Sequence, residues 1–366
     1  MQKNNTLKSA YIHIPFCKKI CSYCDFCKNF YNEKMVDDYL DSLEKEIKEN
    51  YKGEILNTLY IGGGTPSCLS LKQLDKLFNI TKRFNINKTY EFTFECNFDD
   101  ITEELLIKLK DNKVNRISIG LETFNKRFEP FLERNIDEKK MVEKVNLTKK
   151  YFNNINLDLM YALDDETPDE LKEDLNKIVK LDVQHISTYA LIIEENTKLY
   201  INNVKDEDED LQADMYNLIN KVLKENNYIH YEISNYAKKG YESKHNLTYW
   251  NNDNYYAFGS GASGFIGNTR YDNTKSVFNY IKGKYIVNKE VLDKNVLMKD
   301  EIMLNLRKKD GISKKTFYDK YNINIEQIFD YKKLVNKGYL IEDENNIFIP
   351  EKYFFISNEI IYMILE

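Results

Sequence analysis

The stretch YIHIPFCKKICSYCDFCKNF, Tyr11 to Phe30, sets an alternating apolar run directly before four of the six cysteines of the chain. The run reads as a β-strand, because apolar side chains at alternate positions suit one buried sheet face. Cys17, Cys21 and Cys24 follow in C-x3-C-x2-C spacing, in a loop leaving the end of that strand, and Cys27 comes three residues later. A chain of 366 residues can bury a large core without disulfides or metals, so stability alone does not account for such a cluster. The segment MQKNNTLKSA has no apolar core of the kind a secretory signal carries. It points to a reducing, cytoplasmic compartment, where clustered cysteines are more often metal ligands or redox thiols than a disulfide framework.

Outward from that loop, AYIHIPF, LNTLYIG, YEFTFEC, RISIGLE, INLDLMY and HISTYAL read as six strands. Helical stretches alternate with them, such as 33–50, with Met35, Val36, Tyr39, Leu40, Leu43 and Ile47 on one face. Six β-α units in a row predict parallel strands with right-handed crossovers and a partial (β/α)6 barrel with an open side, ending near residue 205. KDEDED, at Lys205 to Asp210, reads as the solvated lead-in to a helix over 211–226. Residues 206–285 are expected to form a smaller α+β extension, with YIHYEISNYA as one strand and a loop region reaching Asn273. Residues 286–366 are expected to form a winged-helix-like tail whose wing is the hairpin GYLIEDENNIFIP.

The net charge of -6 provides no general basic field to attract nucleic acid. No apolar run approaches the roughly 18 residues that span a bilayer. Tyr (28) and Phe (20) are plentiful beside a single Trp, so flat apolar surfaces are available for a core or for stacking on a ring-shaped ligand.

Three thiolates on one short loop suit three irons of a cubane [4Fe-4S] cluster, leaving the fourth open to a chelating molecule. Structural zinc and incidental thiols are the alternatives, although zinc usually takes four ligands from two separated pairs. S-adenosylmethionine (SAM) is the known chelating partner of an open iron in radical chemistry.

IHIPFCKKICSYCDF resembles the cluster loop of radical SAM proteins of the coproporphyrinogen dehydrogenase superfamily, most closely their heme-chaperone branch. GGGTPS, RISIGLETF, NLDLMYAL, HISTYALIIEENT, YEISNYA, HNLTYW and GSGASG match further blocks in order across most of the chain. The resemblance implies a [4Fe-4S] cluster on Cys17, Cys21 and Cys24. It implies SAM contacts at Tyr11, Tyr23, Gly63, Gly64, Thr65, Glu95, Glu122, Arg134, Asp158, Tyr161 and Ala190. These positions, Tyr11 and Arg134 included, are all expected at or near one end of the strands, where sites of such folds gather.

The resemblance also makes His245 of HNLTYW the leading axial-ligand candidate for heme, with Tyr249 and Trp250 against the porphyrin face. His13, His185 and His230 sit inside strand-like runs and read as structural. Implied partners are heme, acceptor hemoproteins (membrane-associated ones included), an electron donor to the cluster and a second copy of the chain in a homodimer. No nucleic acid is expected.

Departures from the family pattern are Glu122, where Gln is usual, ALDDET at Ala162 to Thr167 in place of G-L-P-G-Q-T, and Asn135 at an expected His. The decarboxylating coproporphyrinogen enzyme has a fourth cysteine where this chain has Phe26, and a long N-terminal extension that is not expected here, so that activity is not the reading. The rival to a heme carrier is an enzyme that uses the same cluster to generate a 5'-deoxyadenosyl radical, acting on a tetrapyrrole or transferring a methyl group.

Overall fold

The computed structural model describes residues 7–365. Strands β1 (Ser9–Ile14), β2 (Ile55–Gly63), β3 (Asn85–Asn97), β4 (Arg116–Glu122), β5 (Ile155–Tyr161) and β6 (His185–Ala190) pair side by side, all parallel. Helices α1 (Glu33–Asn50), α2 (Leu71–Thr81), α3 (Glu103–Asp111), α4 (Glu138–Lys149) and α5 (Pro168–Leu181) make the crossovers. Their starts are written locally. Asn32 caps α1 by accepting from Met35 N, and Ser70 with Gln73 forms a capping box on α2. Thr167 with Glu170 does the same on α5, ahead of Pro168 at its first turn.

Alternation along the strands separates two environments. Ala10, Ile12 and Ile14, Leu59 and Ile61, Phe92 and Phe94, Ile117 and Ile119, Leu157 and Leu159 are buried in the core. The alternate positions carry Ser9, Tyr11, His13, Thr58, Tyr60, Glu91, Thr93, Glu95, Arg116, Ser118, Asn156, Asp158, His185 and Ser187. A full eight-stranded barrel fills its interior with branched aliphatics; here the inward set is polar. It is cross-linked between strands, by Asn156 to Ser118 at 2.7 Å, His185 to Asn156 at 2.6 Å and Tyr60 to Glu95 at 2.6 Å.

The barrel does not close between β1 and β6. After α6 (Glu209–Glu225), β7 (Ile229–Glu232) and β8 (Asn235–Ala237) add antiparallel strands beyond β6. The single strand expected for YIHYEISNYA is thus two, divided at Ile233–Ser234. Next comes α7 (Lys244–Trp250). On the other edge β9 (Tyr255–Phe258) pairs in parallel with β1, followed by β10 (Ser263–Ile266), β11 (Thr269–Asn273) and β12 (Ile286–Val291), giving a 12-stranded sheet. The stretch expected as loops up to Asn273 therefore holds a helix and three strands. Residues 206–285 are continuous with the barrel sheet at both edges, and β12 carries that sheet past the expected boundary.

The tail has helices α8 (Lys294–Asn305), α9 (Lys314–Tyr321) and α10 (Ser357–Leu365), with a three-stranded antiparallel sheet of Ile312–Ser313, β13 (Ile341–Glu342) and β14 (Asn346–Phe348). The expected hairpin is β13–β14. Lys320 ties α9 to Glu301 of α8 at 2.9 Å and to the carbonyl of Asn251, just after α7, at 2.7 Å. Among the described residues no helix is long and apolar enough to cross a membrane.

Candidate functional site

The cysteine loop is held at its base and its tip. Phe16–Cys17 pairs with Asn29–Phe30, Ser22 donates from its backbone N to Leu132 O at 3.1 Å, and Leu199 N donates to Ser22 O at 3.3 Å. Cys17, Cys21 and Cys24 line one cavity of about 450 Å³. Thr65 Oγ1 lies 3.4 Å from the Cys17 sulfur and Arg134 Nη1 3.7 Å from that of Cys21. Burial pushes the Cys17 thiol up to about 11 and raises that of Cys24, so both hold their protons until a cation displaces them. Cys27 does not line the cavity. Its sulfur lies 3.2 Å from Lys275 O and 3.7 Å from Ser260 Oγ, over the space that a Cβ on Gly261 would fill.

GGGTPS closes the next side. A Cβ on Gly62 would lie 2.7 Å from the Glu95 carboxylate, one on Gly63 2.6 Å from the His13 ring, and one on Gly64 3.0 Å from the Cys17 sulfur. Gly63 has φ +119°, a conformation that side chains disfavour. These glycines make room for the site's own groups as much as for any ligand.

Glu95 accepts from Tyr60 Oη at 2.6 Å and Gly63 N at 3.0 Å, and burial pushes its carboxyl up to about 7. Glu122 sits at a register shift with φ +68°, 3.6 Å from Arg134 Nη2; burial takes its carboxyl to about 7 against the pull of that arginine, and the Tyr23 phenol bonds to it. Arg134 also donates to Gly120 O at 2.7 Å. Asp158, raised by burial, accepts from Asn156 at 2.8 Å and Ser118 at 3.3 Å. Gly63, Gly64, Thr65, Tyr23, Glu95, Glu122, Arg134, Asp158 and Ala190 all line the cavity with the three cysteines.

Tyr11, Tyr161 and His245 do not line it. Tyr11 is spent on His13, Oη to Nδ1 at 2.9 Å. His245 lies in the first turn of α7, which packs against the N-terminal ends of the barrel strands. Glu91 of β3 accepts from Lys244 N and His245 N, both at 3.0 Å, and Thr248 meets Ser9 at 2.9 Å. The His245 ring is 1 % exposed, with Nδ1 at 2.7 Å from Thr58 Oγ1 and Nε2 at 2.8 Å from Tyr249 Oη. Burial, reinforced by the charge of Arg116, holds it neutral, down to about 3. With both nitrogens engaged, it has none to offer a heme iron in this arrangement. The Trp250 indole is likewise bonded to buried Glu232 of YEISNYA.

Of HNLTYW, it is Asn246 that reaches the cavity. Sequence reasoning also missed Tyr60, Arg116, Ser118, Asn156, Ser187 and Tyr189 on its wall. The available signal was the two-residue period: they occupy the strand positions that alternate with the aliphatic ones. Asn135 and the residues of ALDDET lie off the cavity wall. Asn135 binds Asp99 at 3.1 Å, and Thr167 caps α5.

Comparison with known proteins agrees with this architecture. The Radical SAM superfamily model matches residues 11–178, and the HemN C-terminal domain model matches 292–352, starting where β12 ends. The chain is 38% identical to the heme chaperone HemW of Lactococcus lactis, over 98% of this chain and 97% of that one. It belongs to the HemW family. The HemW of Bacillus subtilis is also 38% identical, over 97% of this chain and 98% of its own. In fold this HemW family member is similar to the coproporphyrinogen III oxidase HemN of Escherichia coli, described as a radical SAM enzyme, with a TM-score of 0.86, 21% identity and coverage of 98% of this chain and 90% of that one.

Proposed function

We propose that this chain is a heme chaperone built on a radical SAM site: Cys17, Cys21 and Cys24 hold a [4Fe-4S] cluster, the cavity beside them takes SAM, and the chain binds heme and delivers it to hemoproteins. The observation that carries the reading is the convergence of three thiols on one polar cavity while the fourth cysteine of the loop turns away. When bound, a cluster with an open iron supplies one-electron chemistry toward SAM. Gly63, Gly64, Thr65, Glu95, Glu122, Arg134, Asp158 and Ala190 line the space next to the thiols with donors and acceptors suited to the ribose, ammonium and carboxylate of SAM. Arg134 holds Glu122 and the Gly120 carbonyl in place.

His245 is not retained as the heme ligand. The feature suited to a porphyrin face is the apolar rim of the cavity, where Phe26 and Ile192 are each 61 % exposed and Tyr189 is 44 % exposed. Phe26 stands at the position of the extra cysteine of the decarboxylating relatives, replacing a thiol with a ring.

Anaerobic reconstitution with iron and sulfide, followed by iron counting and low-temperature EPR, tests the cluster. About four irons per chain are expected for wild type and for Cys27→Ser, and few for Cys17→Ala, Cys21→Ala or Cys24→Ala. Full loading of any of these three alanine variants, or zinc in the wild-type chain, would refute the ligand set. Hemin titration, followed by transfer to an apo-hemoprotein, tests the carrier activity; absence of hemin binding would reject it.

A further inference from the structure

The chain between β6 and α6 folds back on itself beside the cavity. Asp206 Oδ1 accepts from Ile193 N at 2.7 Å, so the two ends of the segment 193–206 meet. Within it Thr197 Oγ1 donates to Glu194 O at 2.7 Å, and Val204 N returns to Leu199 O at 3.0 Å. A closed loop of this kind presents a defined surface. Leu199 N, donating to Ser22 O at 3.3 Å, fastens it to the cysteine loop, and Glu207 fastens its far end to Asp165 N at 2.7 Å. Leu191, Ile192 and Glu194, at its inner edge, belong to the cavity wall.

The outer surface of this loop is both apolar and acidic. Ile192, Tyr200 and Ile201 are 61 %, 49 % and 68 % exposed, whereas Leu191 and Leu199 are buried beneath them. Glu194, Glu195 and the unbroken acidic run Asp206 to Asp210 set seven carboxylates around those side chains against two lysines, Lys198 and Lys205. Lys198 is taken by Glu133 at 2.6 Å, and none of the seven acids forms an ion pair with a described residue. Exposed apolar side chains inside a charged surround are the make-up of a protein-docking patch.

The sign of the charge selects the occupant. An anionic bilayer surface attracts basic segments and repels this one. A second copy meeting the same face across a two-fold axis would set acid against acid. A protein with lysines and arginines around an apolar opening matches the loop in both respects.

We infer that the loop 191–210 is the docking surface for the hemoprotein that receives heme, and that this acceptor presents an apolar heme opening ringed with basic residues. The assignment rests on the carrier function proposed above, with the porphyrin at the rim that Ile192 shares. It also gives KDEDED a task beyond leading into α6, since Asp206 and Glu207 shape the loop and the remaining acids face the partner.

The probes are two hemoproteins of opposite character, cytochrome c, whose heme edge is ringed with lysines, and cytochrome b5, whose heme edge is acidic. Calorimetry at low salt on the full, anaerobically reconstituted chain is expected to show cytochrome c bound about tenfold or more tightly than cytochrome b5, a preference that fades as salt is raised. Glu195→Lys and Ile201→Ser alter exposed residues off the cavity wall. Each should weaken cytochrome c binding about fivefold or more, with Glu344→Lys in the tail hairpin changing it by less than about twofold. No binding, equal binding of the two cytochromes, or equal losses in Glu344→Lys and the loop variants overturns the surface. A wild-type dimer in sedimentation that Ile201→Ser dissociates would also overturn it, giving the patch to a second copy. Hemin titration separates this assignment from the reading beneath it: a chain that takes up no hemin fails as a carrier, while the cytochrome comparison still decides the surface.

Discussion

His245 shows how one residue can be marked by a motif and yet be placed for a different task. A histidine beside aromatics fits a heme ligand or a satisfied core group equally well on paper. Here Thr58 and Tyr249 engage its two nitrogens, and the tilted ring of Tyr60 packs against it at 5.0 Å between centroids. His245→Ala is expected to lower stability by about 2–4 kcal/mol, from the cavity left and the hydroxyls stranded around it. Its hemin affinity and spectrum should match wild type when measured well below the melting temperature. A tenfold loss of hemin affinity in a variant that is fully folded would reinstate the histidine as ligand.

At the scale of elements, α7 is the part whose job the motif concealed. A seven-residue helix has little stability of its own. It is kept against the barrel strands by one carboxylate, since Glu91 accepts from two of its first backbone N–H groups and lies 3.4 Å from Ser243 Oγ. Negative charge at a helix N-terminus is also favourable in itself. Glu91→Gln turns an NH2 toward those donors and is expected to cost about 1–3 kcal/mol. Hydrogen exchange should rise first in Lys244–Trp250, with the amides of β4 and β5 little changed. Uniform acceleration over the whole barrel would mean that α7 is not a separable element.

The parts of the fold that were legible follow from the same distinction. The six strands and their helices could be read because aliphatic residues recur at period two in one and near 3.6 in the other. The segment of β7 and β8 was legible only as one strand, and the edge strands β9 to β11 were not legible, because each is only four or five residues long and set among Asn and Gly. The thiols, the glycines and the strand-end carboxylates were legible as chemistry-bearing residues in matched blocks. Arg116, Asn246 and Tyr60 were not, since their importance comes from facing a cavity that only closure of the sheet creates.

For the molecule as a whole, pH acts through carboxyls that the fold buries, Glu46 among them. Glu46 of α1 accepts from Gly259 N at 2.8 Å, Asn273 Nδ2 at 2.6 Å and Tyr280 Oη, joining the first helix to the β9–β11 edge of the sheet. Burial pushes its carboxyl up to about 7, against those three donors. In the unfolded chain the same group ionises near the ordinary value of 4.5. Between these values the native chain therefore holds the extra proton, and stability falls as pH rises through the window from about 4.5 to 7, then levels off. The contribution of this one group is about 3 kcal/mol across that span.

Glu46→Gln removes the ionisation but keeps a carbonyl oxygen for Gly259 and Tyr280. Asn273, whose Oδ1 is buried without a partner, offers an acceptor for the new amide once it rotates. Urea unfolding at intervals from pH 4.5 to 8 should show the variant losing less stability than wild type as pH rises, and overtaking it near neutrality. Parallel curves for the two proteins would mean that Glu46 is already ionised in the folded chain at pH 5, and that its three donors outweigh burial.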